Sequence, residues 1–170
     1  FYAGMMEYDG DLKLPKNYLV SPPVIERTFC EYLAAEKTTM FAVSETQKYG
    51  HVTYFWNGNR SGYVDESLEL YHEIPSDKVQ FDKAPTMKAV EIADWTEETL
   101  RGGKFRFGRL NFANGDMVGH CGKMEAAVVA VETVDEQTGR LIETVNELGG
   151  ITVVTADHGN SDEMWTEKKG

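Results

Sequence analysis

The sequence is short of several features that would assign it to a particular class of protein. Its two cysteines, Cys30 and Cys121, lie far apart in no CxxC arrangement, which favours reduced, buried or half-buried thiols in a cytosolic setting. It has no apolar run of about 18 residues or more, so we predict no membrane-spanning helix. No charged and then apolar leader follows Phe1, so we expect no secretory signal and a chain that is a piece of a longer protein.

Basic residues are also scarce relative to acidic ones. The chain has 17 Lys and Arg against 28 Asp and Glu, a net charge of −11. Nucleic-acid binding through phosphate neutralisation needs clustered Lys and Arg, so we expect no nucleic-acid partner. An apolar content of 41% in 170 residues is typical of one globular domain with a substantial core.

Strand-like and helix-like segments alternate along the chain. Helical periodicity predicts helices at about 24–35, 47–56, 87–101 and 124–148. Short apolar runs predict strands at 40–44, 70–74, 105–112 and 151–154, although Gly108 weakens the third. This alternation predicts an α/β fold with a mostly parallel sheet flanked by helices.

An acid and an imidazole, Asp157 and His158, follow the predicted strand 151–154. Ligands in open α/β sheets bind beyond the carboxyl ends of strands, so this pair is placed for chemistry. One carboxylate and one imidazole suit an ion such as Mn²⁺ or Zn²⁺. The alternative is that both residues only cap the next element, since Asp and Asn are common turn formers.

A second segment has the same layout of strand, polar turn and ligand-type residues. Asp116 and His120 are four residues apart, a spacing that directs both side chains to one side of a helical turn. Together the two segments predict a metal centre formed by Asp116, His120, Asp157 and His158.

Three other polar residues follow strands or turns. Lys48 comes in the first turn after strand 40–44, whose polar end suggests an edge that faces a site. His51 lies among aromatic residues, and packing is favoured for it over metal ligation. Arg60 lies in the turn 57–62, which is either a plain loop or a place where amides and Arg60 hold an anion.

Three segments taken in order, 44–53, 111–120 and 155–164, resemble the cofactor-independent phosphoglycerate mutases. The similarity runs through nearly all 170 residues. These mutases belong to the alkaline-phosphatase-like superfamily, whose metal domain holds two divalent ions, most often Mn²⁺ and in some members Mg²⁺ or Co²⁺.

The resemblance assigns roles to five residues. Asp116 and His120 match two ligands of one ion, Asp157 and His158 match two ligands of the other, and Lys48 matches a lysine that contacts substrate. The serine nucleophile, an early aspartate ligand and a further histidine ligand have no counterpart in this sequence. Residues 1–170 therefore correspond to the C-terminal part of the metal-binding domain, without the inserted substrate domain.

The implied reaction interconverts 3-phosphoglycerate and 2-phosphoglycerate through a phosphoserine, in glycolysis and gluconeogenesis. We expect a cytoplasmic, monomeric enzyme with a small-molecule substrate, and no turnover by these 170 residues alone. Two alternatives stay open. One is another phosphoryl-transfer enzyme of the same superfamily, such as a phosphopentomutase or phosphatase, and the other is a non-catalytic α/β module.

Overall fold

The computed structural model describes residues 1–10 and 12–165 and confirms an α/β fold with parallel sheets and flanking helices. The strands are β1 (Gly4–Met6), β2 (Tyr18–Val20), β3 (Met40–Glu45), β4 (Glu69–Ile74) and β5 (Phe107–Asn111). The helices are α1 (Phe29–Ala35), α2 (Tyr49–Val52), α3 (Ala89–Arg101), α4 (Asn114–Gly119) and α5 (Met124–Glu147). Short 3₁₀ turns cover Thr46–Lys48 and Phe81–Lys83. None of the helices in these two ranges has the length and apolar character needed to cross a membrane.

The main sheet has three strands in the order β4, β3, β5, and all of them are parallel. Every residue of β3 is buried, as expected for the central strand of a sheet covered on both faces. In the register, Ser44 pairs with Glu73 on one side and with Asn111 on the other. The carboxyl ends of the three strands therefore lie side by side at one edge.

Alternate residues of β3 pack against different helices. Phe41 lies in a buried cluster with Ile92 of α3, and Met40 packs with Cys30 and Ala34 of α1. Helix α5 packs against α3 and α4. The sheet is thus held between α1 on one face and the layer of α3 on the other.

Gly108 in β5 has a packing reason. A Cβ atom at this position would lie 2.2 Å from Cζ of Phe41, whose side chain is fully buried. Glycine therefore lets the Phe41 ring lie directly on the neighbouring strand. The predicted strand 105–112 is confirmed over Phe107–Asn111 in spite of this glycine.

Helix α1 begins later than the predicted residue 24. Arg27 has a φ of +60°, which interrupts a helix, and the Glu31 carboxylate accepts the backbone N–H of Thr28 at 2.6 Å. This contact fixes the first turn of the helix at Phe29. The helix predicted over 47–56 is also shorter, because regular helix ends at Val52 and turns follow.

The remaining helices agree more closely with the predicted ranges. Helix α5 covers 124–147. Helix α3 ends at Arg101 with Gly102 as its cap, and Gly103, the next residue, has a φ of +66°. That left-handed conformation stops a helix and favours glycine. Cys30 and Cys121 are free thiols, buried and half-buried respectively, as predicted.

The predicted strand at residues 151–154 is wrong. These residues form no strand, and Ile151, Val153 and Val154 are 92%, 84% and 64% exposed. Within the described ranges, no backbone-to-backbone hydrogen bond joins residues 151–156 to another segment. The apolar pattern is that of a buried strand, but a strand needs a neighbour to pair with, and none of the described strands lies beside it.

Candidate metal centre

Lys48 lies at the centre of the predicted site. Strand β3 ends at Glu45, and the 3₁₀ turn Thr46–Lys48 then brings the lysine back over the sheet edge. Lys48 is 3% exposed, although it is a charged residue. Its Nζ atom lies 2.7 Å from Oδ2 of Asp116, 3.4 Å from Oδ2 of Asp157 and 3.0 Å from Nε2 of His158.

Asp116 and His120 are positioned by α4, which follows β5 after a short turn. The backbone N–H of His120 donates to the carbonyl of Asp116 at 3.1 Å, so one helical turn separates the two side chains. His120 Nε2 lies 3.1 Å from Oδ1 of Asp116. The four-residue spacing therefore brings the two side chains together as predicted.

Asp157 and His158 reach the same place from an irregular segment. His158 Nε2 lies 3.7 Å from Oδ2 of Asp116 and 3.6 Å from Oδ1 of Asp157. The Asn111 amide, at the end of β5, donates to Oδ2 of Asp157 at 3.5 Å. Asp116, Asp157 and His158 thus lie around Lys48, and His120 joins them through Oδ1 of Asp116, even though the strand predicted to carry Asp157 and His158 does not form.

Lys48 lowers the pKa of both aspartate side chains. Burial by itself raises the pKa of Asp116, but hydrogen bonds from Lys48 and Asn160 outweigh it and leave that pKa below its usual value. Burial likewise raises the pKa of Asp157, and the charges of Lys48 and His158 more than offset it. Both groups are therefore held as carboxylates, the form that binds a cation.

The donor set fits a divalent ion by its chemistry. Two carboxylates and two imidazoles are ligand types that Mn²⁺, Co²⁺ and Zn²⁺ accept. In the described part of the chain, however, no group of three or more His, Cys, Asp or Glu side chains is arranged to hold an ion. The ammonium of Lys48 lies between the carboxylates instead, so the arrangement is an ion-paired cluster of ligand-type residues.

The two residues with alternative interpretations, His51 and Arg60, make local packing and ion-pair contacts. His51 packs edge-on against Phe55 with ring centroids 5.3 Å apart, in agreement with the packing interpretation. Arg60 is paired with Glu31 at 2.8 Å and donates to the carbonyl of Asn57, so its turn is held by internal contacts.

Two residues at this edge were not predicted from the sequence. Asn160 follows Asp157 and His158 in the chain and donates to Oδ1 of Asp116 at 2.7 Å. Glu45 is a buried carboxylate that accepts the Ser76 hydroxyl at 2.8 Å and the Lys88 N–H at 3.1 Å. A charged residue at the end of an otherwise uncharged strand is the signal that could have pointed to Glu45.

The sheet and the cluster define an α/β chain with a carboxylate and imidazole site at the carboxyl edge of its strands, as expected of a metal-dependent enzyme domain. A family model described as the Metalloenzyme superfamily matches residues 7–168. The chain therefore belongs to the Metalloenzyme superfamily.

Individual relatives are longer than this chain. A 2,3-bisphosphoglycerate-independent phosphoglycerate mutase of Trypanosoma brucei brucei is 53% identical over 170 residues, which are 99% of this chain and 31% of the relative. A probable mutase of the same name from Arabidopsis thaliana is 56% identical over 164 residues, 96% of this chain and 29% of the relative. The chain thus spans about 30% of the length of these relatives.

A solved structure has the same fold. The crystal structure of Leishmania mexicana phosphoglycerate mutase at low cobalt concentration matches with a TM-score of 0.93 and 52% identity. The match covers 99% of this chain and 31% of that chain.

Proposed function

We propose that this chain forms part of a metal-dependent phosphoglycerate mutase, which interconverts 3-phosphoglycerate and 2-phosphoglycerate through a phosphoserine. The observation that carries the proposal is the cluster in which Asp116, Asp157 and His158 contact Lys48 and His120 contacts Asp116. Sequence identity above 50% to proteins named as such mutases supports this choice over a phosphopentomutase, a phosphatase or a non-catalytic module.

The proposed ligands divide by segment. Asp116 and His120 of the α4 segment would hold one divalent ion, and Asp157 and His158 would hold the other. Mn²⁺ is the ion we propose, with Mg²⁺ or Co²⁺ as substitutes, and the similarity to a Leishmania mexicana mutase crystallised at low cobalt concentration supports a divalent ion. Bound ions of this kind activate a hydroxyl nucleophile and offset the charge of a phosphoryl group.

Lys48 is proposed to bind the substrate phosphoryl group. Its ammonium is buried and held at a fixed position by carboxylates, so it offers a preorganised positive charge at low cost in side-chain entropy. The carboxylates that hold Lys48 are the proposed ligands, so cations bound to them would free its N–H groups for phosphoryl oxygens.

The setting of the enzyme is proposed from the same resemblance. Residues 1–170 would be the C-terminal part of its metal-binding domain, in a cytoplasmic, monomeric enzyme of glycolysis and gluconeogenesis. The sequence has no counterpart of the serine nucleophile that the resemblance requires, so we expect no mutase turnover from these residues alone. A coupled assay for 2-phosphoglycerate with Mn²⁺ present checks this, and full activity would contradict it.

The metal ligands are tested by calorimetric titration of the chain with Mn²⁺ and Co²⁺. We expect Asp157→Asn and His158→Ala to weaken binding by more than the roughly 10–100-fold that the loss of a supporting hydrogen bond costs. Asp135→Asn is the matched control, since Asp135 is an exposed carboxylate within α5 and outside the segments that carry the proposed ligands. Unchanged affinity in both ligand variants would refute the proposed metal centre and favour a non-catalytic module.

A further inference from the structure

The segment that carries Asp157 and His158 has little support from the sheet. Residues 151–156 make no backbone-to-backbone hydrogen bond to another described segment, and their apolar side chains face solvent. His158 Nε2 nevertheless lies 3.7 Å from Oδ2 of Asp116, and Oδ2 of Asp157 lies 3.4 Å from Nζ of Lys48. Something other than strand pairing must hold them there.

Direct contacts join the next residues to α4. The amide Nδ2 of Asn160 donates to Oδ1 of Asp116 at 2.7 Å and to the Asp116 carbonyl at 3.2 Å. The hydroxyl of Ser161 donates to the carbonyl of Gly115. A backbone hydrogen bond from Glu163 to the Asn160 carbonyl, at 3.1 Å, closes the turn that carries these side chains.

Gly119 makes this close approach sterically feasible. A Cβ atom at residue 119 would lie 2.7 Å from Oδ1 of Asn160 and 2.9 Å from Oγ of Ser161. Contacts below 3.0 Å essentially never occur for a real Cβ, so a larger residue here would displace the Asn160 and Ser161 side chains that contact α4. At Gly115, on the same helix, a Cβ would lie 3.8 Å from Oγ of Ser161, which is ordinary contact.

The two oxygens of Asp116 are also divided between partners. Oδ1 accepts the Asn160 amide and faces Nε2 of His120 at 3.1 Å. Oδ2 faces Lys48 at 2.7 Å and His158 at 3.7 Å. The amide therefore fixes the rotation of the carboxylate as well as the position of the turn.

We propose that Asn160 is a positioning residue. Its side chain packs on Gly119, and this contact brings the segment with Asp157 and His158 to the segment with Asp116 and His120. This inference rests on the proposed function, because it treats these residues as ligands. Outer hydrogen bonds to a ligating carboxylate orient it and typically change metal affinity by about 10–100-fold.

The docking is tested first without metal, by NMR of the 170-residue chain. We expect nuclear Overhauser contacts between the Asn160 side-chain amide protons and the side-chain protons of Asp116, whose Oδ1 and carbonyl accept that amide. Gly119→Ala should abolish them, and the matched control Gly115→Ala should keep them. Contacts that survive in Gly119→Ala would overturn the docking.

Metal affinity is then measured with Co²⁺, by calorimetry and by its visible absorption. Asn160→Ala, Asn160→Asp and Gly119→Ala should weaken binding by about 10–100-fold, and Gly115→Ala should not. Asn160→Asp keeps the shape of the side chain and removes its hydrogen-bond donor. A loss of affinity in this variant would therefore report the lost hydrogen bond and not a lost fold. Wild-type affinity in the Asn160 variants would overturn the proposal. If the unmodified chain bound no Co²⁺, the proposed function would fail, and this inference with it.

Discussion

Replacement of Gly108 by alanine should destabilise the chain strongly, because the added methyl group would overlap the Phe41 ring. The added Cβ would lie 2.2 Å from Cζ, 2.5 Å from Cε1 and 2.9 Å from Cε2 of Phe41. The ring is 1% exposed and packs edge-on against Trp95 and Phe105, at 5.5 and 5.7 Å between centroids. It therefore has no free space into which to move.

The expected cost of Gly108→Ala is about 3 kcal/mol, at the upper end for overpacking a core by one carbon. Phe41→Leu alone should cost about 1–2 kcal/mol through lost burial. In the double variant the smaller side chain vacates the space that the new Cβ needs. Its loss should then be smaller than the sum of the single losses by about 1–3 kcal/mol, which is a coupling between contacting residues.

Urea unfolding followed by circular dichroism measures these differences, with an unchanged slope as the sign that only stability has altered. Gly139→Ala is the control. Gly139 lies within α5, and a Cβ there would meet no atom within 4 Å, so this variant should gain about 1 kcal/mol from helix propensity. Wild-type stability in Gly108→Ala, or additive losses in the double variant, would refute the packing argument.

Three further predictions concern charge and thiol chemistry. Hydrogen bonding from Arg60 lowers the pKa of Glu31 from 4.5 to about 2. The stability that this carboxylate contributes should therefore be fully present above pH 4.5 and be lost as the pH falls through about 2. Unfolding of the wild type and of Glu31→Gln, measured at a series of pH values, checks this. Burial raises the pKa of Cys30, so Ellman's reagent should label Cys121 in the folded chain and Cys30 only on unfolding, as read by peptide mass spectrometry. Lys48→Met should cost about 3 kcal/mol, because its carboxylate partners are left facing each other, and Mn²⁺ should restore part of the loss in thermal unfolding.

The parallel sheet was predictable because its central strand is buried on both faces. Residues 40–43 are all apolar, and that pattern locates the central strand without knowledge of its neighbours. Long helices such as Met124–Glu147 were predictable from their apolar periodicity. Helix starts were harder to predict, because the start of α1 depends on the contact between Glu31 and the Thr28 backbone.

The segment 151–154 marks the limit of sequence patterns. Its apolar residues favour a buried strand, but strand formation depends on a partner, and pattern alone does not supply one. The cluster itself was predicted more successfully, because the spacing of Asp116 and His120 is a local property of one helical turn. The place of Lys48 between the carboxylates depends on tertiary packing, and no periodicity indicates it.

The exposed segment 151–156, which pairs with none of the described strands, also affects the tendency of this chain to aggregate at high concentration. Uncharged residues, most of them β-branched, that make no backbone hydrogen bond to another described segment are a template onto which another molecule can add a strand. Aggregation should therefore begin here, ahead of any loss of the sheet around β3. A lysine introduced at Thr152 would act as a gatekeeper against such intermolecular growth while leaving the metal-binding side chains in place.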